Sequence, residues 1–309
     1  MSSGATGVRE TGALLLIVPA GLLGVGLAWL LTTGSAPAEA AVRVLADGLG
    51  ATVLGLAALP RLHERLAPPW RMLAALAGAW CVTEFAVLVF EAAEVVGVPA
   101  RRLAAGQFGT FLTEISGGQV GIAILIATAA VAGYSTLAFR GADTASTDLV
   151  LVFTAVAVAL RPITGHMSQQ AFGSVLAALH ALAAGAWFGL LVALALVIRT
   201  RGEWAATLPR YSAVALPLIG VVAATGVVNG LVRVGGLGPL LDTGYGRILL
   251  AKTTVLAVLL ALGWWWRRGW VRLAADHRMD ASGSLRRAVL EVTVMAVAFG
   301  LAATLAVTA

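Results

Sequence analysis

Nine long apolar runs, separated by short polar segments, constrain this chain more than any other feature of its sequence. A helix that crosses a bilayer needs about 20 predominantly apolar residues, and these runs have that length. We therefore predict an all-α fold, a polytopic transmembrane helical bundle of about nine spans. The runs cover residues 11–31, 41–60, 71–93, 117–139, 148–166, 171–198, 210–232, 245–266 and 287–308.

Composition also favours a membrane protein. Of 309 residues, 60% are hydrophobic and 12% are charged, whereas soluble domains are about half apolar and about a quarter charged. These values argue against a soluble globular enzyme, a disordered chain and a secreted disulfide scaffold. Cys81 is the single cysteine, so no intrachain disulfide can form. The net charge of +6 does not indicate a nucleic-acid partner, because the basic residues lie mostly at the ends of apolar runs.

The distribution of Lys and Arg predicts the orientation. Fourteen of the 21 lie in segments on one side and seven on the other, so we expect a cytoplasmic N-terminus. The first run resembles a signal peptide, with Ala36-Pro37-Ala38 after it. Its apolar core is longer than the usual 7–15 residues, which favours an uncleaved anchor; cleavage would leave eight spans. We expect one integral membrane unit with two parts: helices 1–4 and an outer-face loop in 1–147, and helices 5–9 in 148–309.

Several polar residues lie inside the runs, mostly in the half nearer the predicted outer face. Ionisable residues within a span are functional candidates by default. A water- or ion-accessible vestibule open to the outside would explain the clustering, and side chains that snorkel from helix ends are the alternative. Arg161 and Lys252 are candidate counter-ions for Asp47 or Glu84. The ion-pathway candidates on these grounds are Asp47, Glu84, Glu91, Glu94, Asn229 and Lys252.

Two histidines and a methionine form a candidate metal site. His166 and Met167 lie at the outer end of helix 5, and His180 lies near the middle of helix 6. Imidazole and thioether ligands together suit copper; ordinary packing is the alternative role. The 14-residue separation favours two successive stations on an entry path over one mononuclear site.

Several short motifs resemble the copper resistance D (CopD) family in the same order along the chain. The match extends over about 148–308, and the earlier half is similar to actinobacterial proteins in which a CopD domain is fused to an oxidase-assembly CtaG domain. Met167-Ser168-Gln169-Gln170 departs from the family pattern. The motifs are Thr164-Gly165-His166, the segment 179–190 with His180 and Trp187, Arg210-Tyr211-Ser212, Thr225-Gly226-Val227-Val228-Asn229 and the segment 245–252 with Arg247 and Lys252.

The resemblance implies a plasma-membrane protein of copper uptake or copper tolerance. His166 and His180 match the family's histidines, and Trp187, Asn229, Arg247 and Lys252 match motif positions without a clear role. The implied partners are the lipid bilayer and copper, with an extracytoplasmic copper-binding protein or a CtaG-like oxidase assembly protein as protein partner.

Three functions follow as hypotheses. The first is a copper transporter that takes the ion through His166, Met167 and His180. The second is a copper-delivery partner of a respiratory oxidase. The third is a membrane cytochrome with a b-type haem, which the different depths of the two histidines argue against. No Ser/His/Asp or zinc-hydrolase pattern is visible in the sequence, so we predict no enzymatic activity.

Overall fold

The computed structural model describes residues 13–32, 38–141, 145–163, 172–234 and 237–308. These residues form α-helices and two short 3₁₀ turns, with no strand among them, which confirms the all-α prediction. The α-helices are α1 (Ile17–Leu31), α2 (Ala38–Leu62), α3 (Trp70–Val96), α4 (Ala105–Glu114), α5 (Ser116–Phe139), α6 (Thr147–Leu160), α7 (Gly173–Val197), α8 (Arg201–Val234), α9 (Leu237–Asp242), α10 (Gly244–Arg268), α11 (Trp270–Ala275) and α12 (Ala281–Thr308).

Eight helical segments in this described part are long and apolar enough to cross a membrane. They coincide with eight of the nine predicted runs and confirm a polytopic helical bundle. The ninth run, 148–166, corresponds to α6, which has 14 residues. At 1.5 Å per residue, α6 is about 21 Å long, against about 30 Å for the hydrocarbon core. Residues 164–166 of that run lie outside the described residues.

Two helices begin earlier than the apolar runs do, because polar residues cap them. Thr200 and Glu203 form a reciprocal cap: Thr200 Oγ1 accepts from the Glu203 N–H, and Glu203 Oε2 accepts from the Thr200 N–H. This cap starts α8 at Arg201, nine residues before the predicted run. Asp280 precedes α12 and accepts from Ser282 Oγ and from the Gly283 N–H. These two hydrogen bonds lower the pKa of Asp280 below its usual value.

The two halves of the chain pack together through glycines. The backbones of helices α2 and α7 are in contact where the two helices cross. Any side chain at Gly55 would clash there, because its Cβ would lie 1.9 Å from the carbonyl oxygen of Gly189. Helices α1 and α12 meet in the same way, and a Cβ on Gly300 would lie 2.0 Å from the Gly21 carbonyl oxygen. Small residues let transmembrane helices approach closely enough for extensive van der Waals contact. The buried core therefore contains residues from both halves, among them Leu56, Leu59, Trp80, Phe188, Leu191 and Val292.

Candidate ion pathway and histidine site

Charged side chains from three elements meet where α2 begins and where α3 and α6 end, which we call the outer end after the predicted orientation. On α2, Glu39, Arg43 and Asp47 follow one another at four-residue intervals and so share a face. On α3, Glu84 and Glu91 are seven residues apart and also share a face. We call the group the charged cluster; its members are Glu39, Arg43, Asp47, Glu84, Glu91, Glu94 and Arg161.

The deep members of the charged cluster are paired. The Arg161 guanidinium forms an ion pair with Glu84 and lies 3.4 Å from Glu91 Oε1. Arg43 lies 3.5 Å from the same Glu91 oxygen and 3.9 Å from Glu39. Only 12% of the Arg161 side chain and 6% of the Glu84 side chain are exposed, so this pairing is inside the bundle. The counter-ion role predicted for Arg161 towards Glu84 matches this contact.

A tryptophan fixes the position of Glu84. Trp80 Nε1 donates to Glu84 Oε1 at 2.9 Å, one helical turn away on α3. The Trp80 ring lies against Gly50 of α2, where a Cβ would approach the ring to 2.8 Å. Gly50 therefore makes room for the indole, and the indole holds the carboxylate towards Arg161.

The remaining two acidic candidates lie at the edges of this network. Asp47 is half-buried, and the charges of Arg43 and Arg161 act on it. Glu94 is exposed at the end of α3, and its charge acts on Glu39. Of the three acidic candidates on α3, Glu84 and Glu91 share Arg161, whereas Glu94 lies beyond this pairing at the exposed end of the helix.

His180 lies apart from the charged cluster and contacts α8. Its Nδ1 is 2.9 Å from Thr225 Oγ1. The backbone of α8 passes close to the ring, since a Cβ on Gly226 would be 3.5 Å from His180 Cε1. His180 is seven residues into α7, which places it about 10 Å below the start of that helix.

Lys252 lies near the histidine and forms no ion pair with Asp47 or Glu84 among the described residues. The positive charge of Lys252 acts on His180. Within the described ranges, neither Asp47 nor Glu84 forms an ion pair with it. The sequence-based hypothesis that Lys252 is a counter-ion for Asp47 or Glu84 is therefore wrong. Lys252 is eight residues into α10, at a depth similar to that of His180, whereas the cluster lies on other helices.

Asn229 and Trp187 carry polar atoms that are buried without a hydrogen-bond partner among the residues described. Asn229 lies one helical turn after Thr225 on α8, and its Oδ1 atom is buried. Trp187 follows His180 by seven residues on the same face of α7 and is 4% exposed. Its Nε1 lies next to the Tyr211 hydroxyl without a well-formed hydrogen bond.

Glu291 of α12 acts electrostatically on Tyr211 and is 6% exposed. A snorkelling side chain would be exposed, so Glu291 is a buried group. Thr225 and Tyr211 had no role in the sequence prediction. Both lie within quoted motifs, but only the contact between helices distant in sequence shows what they touch.

The predicted outer ligands His166 and Met167 lie outside the described residues, in the segment between α6 and α7. Across the described ranges, no group of three or more His, Cys, Asp and Glu side chains is arranged to hold a metal ion. His180 is thus the candidate ligand whose surroundings can be described.

Comparison with known proteins connects the second half of the chain to copper. Residues 205–305 match the family described as copper resistance protein D. A Bacillus subtilis (strain 168) protein named copper transport protein CutJ is 29% identical over 124 residues, which is 37% of this chain and 23% of that relative. The chain therefore spans less than a quarter of the length of this relative. No solved structure matches the chain.

Proposed function

Residues 205–305 match the copper resistance protein D family, and from that match we propose that this chain is a member of the family that carries copper ions across the plasma membrane from the outer face. The eight apolar helices support a multi-pass membrane protein, and the family match and the named relative support a connection to copper. The direction of transport and the residues that bind the ion are parts of the proposal.

The observation that carries the proposal is the position of His180. Among the described residues it is the one histidine on a membrane-spanning helix, since His63 and His277 lie in connecting segments. Its ring contacts Thr225 of α8, a residue that lies within the family match. Imidazole is a favourable copper ligand, and an ionisable group at this depth is a functional candidate.

The charged cluster supports a pathway that opens at the outer end. It has five carboxyl side chains and two guanidinium groups, and Glu94 reaches the surface. A surface with an excess of acidic groups raises the local concentration of cations. In this proposal Glu94 and Glu39 attract the ion, His166 and Met167 capture it, and His180 passes it inward.

A copper-accumulation experiment tests the proposal. Cells that express the His180→Ala variant at the same membrane level as the wild type should lose the copper accumulation due to this protein. The matched control is His63→Ala, which removes an imidazole from a connecting segment and should leave accumulation unchanged. Accumulation that is the same in His180→Ala and wild type would contradict the role of His180.

A further inference from the structure

The hydrogen bond between α7 and α8 fixes which nitrogen of His180 carries the proton. Thr225 Oγ1 lies 2.6 Å from the carbonyl oxygen of Val221, one turn earlier on α8. A carbonyl oxygen can only accept, and two oxygens approach this closely only when a proton lies between them. The single hydroxyl proton of Thr225 is therefore donated to Val221.

With that proton used, Thr225 Oγ1 can only accept from His180. The Nδ1 atom at 2.9 Å must then carry a hydrogen and donate it. The carbonyl oxygen of Val222 lies 3.4 Å from Thr225 Oγ1 and is likewise an acceptor for the hydroxyl, not a donor to it. The Nδ1 side of the ring, which faces α8, thus meets Thr225 Oγ1 as an acceptor.

We propose that Thr225 is a positioning residue that holds neutral His180 in the Nδ1–H tautomer. The unprotonated Nε2 atom, with its lone pair, is then the metal-binding atom. A histidine that binds a metal through one nitrogen commonly donates the other N–H to an oxygen, which fixes the tautomer and the ring orientation. The copper part of this inference rests on the proposed function. The tautomer part concerns the metal-free protein and stands independently.

Two substitutions at Thr225 separate the hydrogen bond from packing. Thr225→Val keeps the branched shape but removes the acceptor oxygen, and it is compatible with a membrane helix. Thr225→Ser keeps the hydroxyl. The probe is Cu(I) alone, titrated into the purified full-length protein in detergent. We expect Thr225→Val to bind Cu(I) about 10–100-fold more weakly and Thr225→Ser to bind like the wild type.

A nitrogen NMR measurement on the metal-free protein with ¹⁵N-labelled histidine gives the second readout. The signal of His180 is assigned by its loss in His180→Ala. We expect the Nδ1–H tautomer in the wild type and in Thr225→Ser, and a mixture of tautomers in Thr225→Val. A wild-type ring protonated on Nε2 would overturn the proposal.

The outcomes for the two proposals are distinguishable. If Cu(I) binding is lost in His180→Ala but unchanged in Thr225→Val, Thr225 has no positioning role and the proposed function stands. If His180→Ala binds Cu(I) like the wild type, His180 is not the ligand and the proposed function fails. The NMR measurement then decides by itself whether Thr225 fixes the tautomer.

Discussion

The charged cluster at the outer end and the polar groups around His180 are both buried, but they differ in how their atoms are paired. In the cluster, Arg161 and Arg43 bridge Glu84 and Glu91 across three helices. Within the described part of the chain, the His180 ring has a side-chain hydrogen bond to Thr225, and Asn229 Oδ1 has no hydrogen-bond partner. Paired charges stabilise one arrangement of helices, whereas a polar atom without a protein partner can accept a ligand.

The difference gives separate roles to the two regions. The family match begins at residue 205, so it excludes both the charged cluster and His180, but it includes Thr225, which contacts His180, and also Asn229 and Lys252. We therefore expect substitutions in the cluster to affect stability first, and substitutions at His180 and its neighbours to affect copper first.

The largest expected effect is that of Arg161→Ala. It leaves Glu84 buried with its main partner removed, and breaking a buried ion pair in this way costs about 3–5 kcal/mol. The free energy of unfolding, measured by denaturant titration in detergent, should fall by that amount. The control is Arg61→Ala, which breaks an ion pair whose side chains are 45% and 69% exposed; it should cost about 1 kcal/mol or less. Equal losses in the two variants would show that the cluster does not hold the fold.

A smaller loss in the free energy of unfolding should distinguish two buried carboxyl groups, those of Glu84 and Glu291. Glu84→Gln keeps the shape but removes the charge that pairs with Arg161, so we expect a loss of about 1.5–3 kcal/mol in the free energy of unfolding. Glu291→Gln should cause no measurable loss, because Glu291 has no ion pair within the described residues. The same denaturant titration compares both variants. A larger loss in Glu291→Gln than in Glu84→Gln would reverse the comparison.

The sequence predicted the helices well, because the bilayer requires long apolar runs and these are visible as composition. It placed the start of α8 too late, since the Thr200–Glu203 cap extends the helix through a polar segment. The cap has the Ser/Thr-x-x-Glu pattern, so the signal was present in the sequence. The start of α12 differs for a similar reason, through Asp280.

The candidate site could be predicted only in part. The spacing of Glu84 and Glu91 placed both on one face of a helix, and the depth of Arg161 made it a candidate counter-ion, as the structure has it. The partner of His180 is 45 residues away, and only the packing of α7 on α8 brings the two together. The hypothesis that Lys252 is a counter-ion for Asp47 or Glu84 failed for the same reason. Residues at similar depths in the membrane need not lie on adjacent helices.

X-ray absorption at the copper edge tests most directly whether His180 binds the ion inside the bundle. The purified full-length protein and its His180→Ala variant would each be loaded with one equivalent of Cu(I), after a melting measurement confirms that both are folded. We predict imidazole scattering in the wild type and a reduced imidazole contribution in His180→Ala. Identical spectra from the two folded proteins would contradict copper binding by His180.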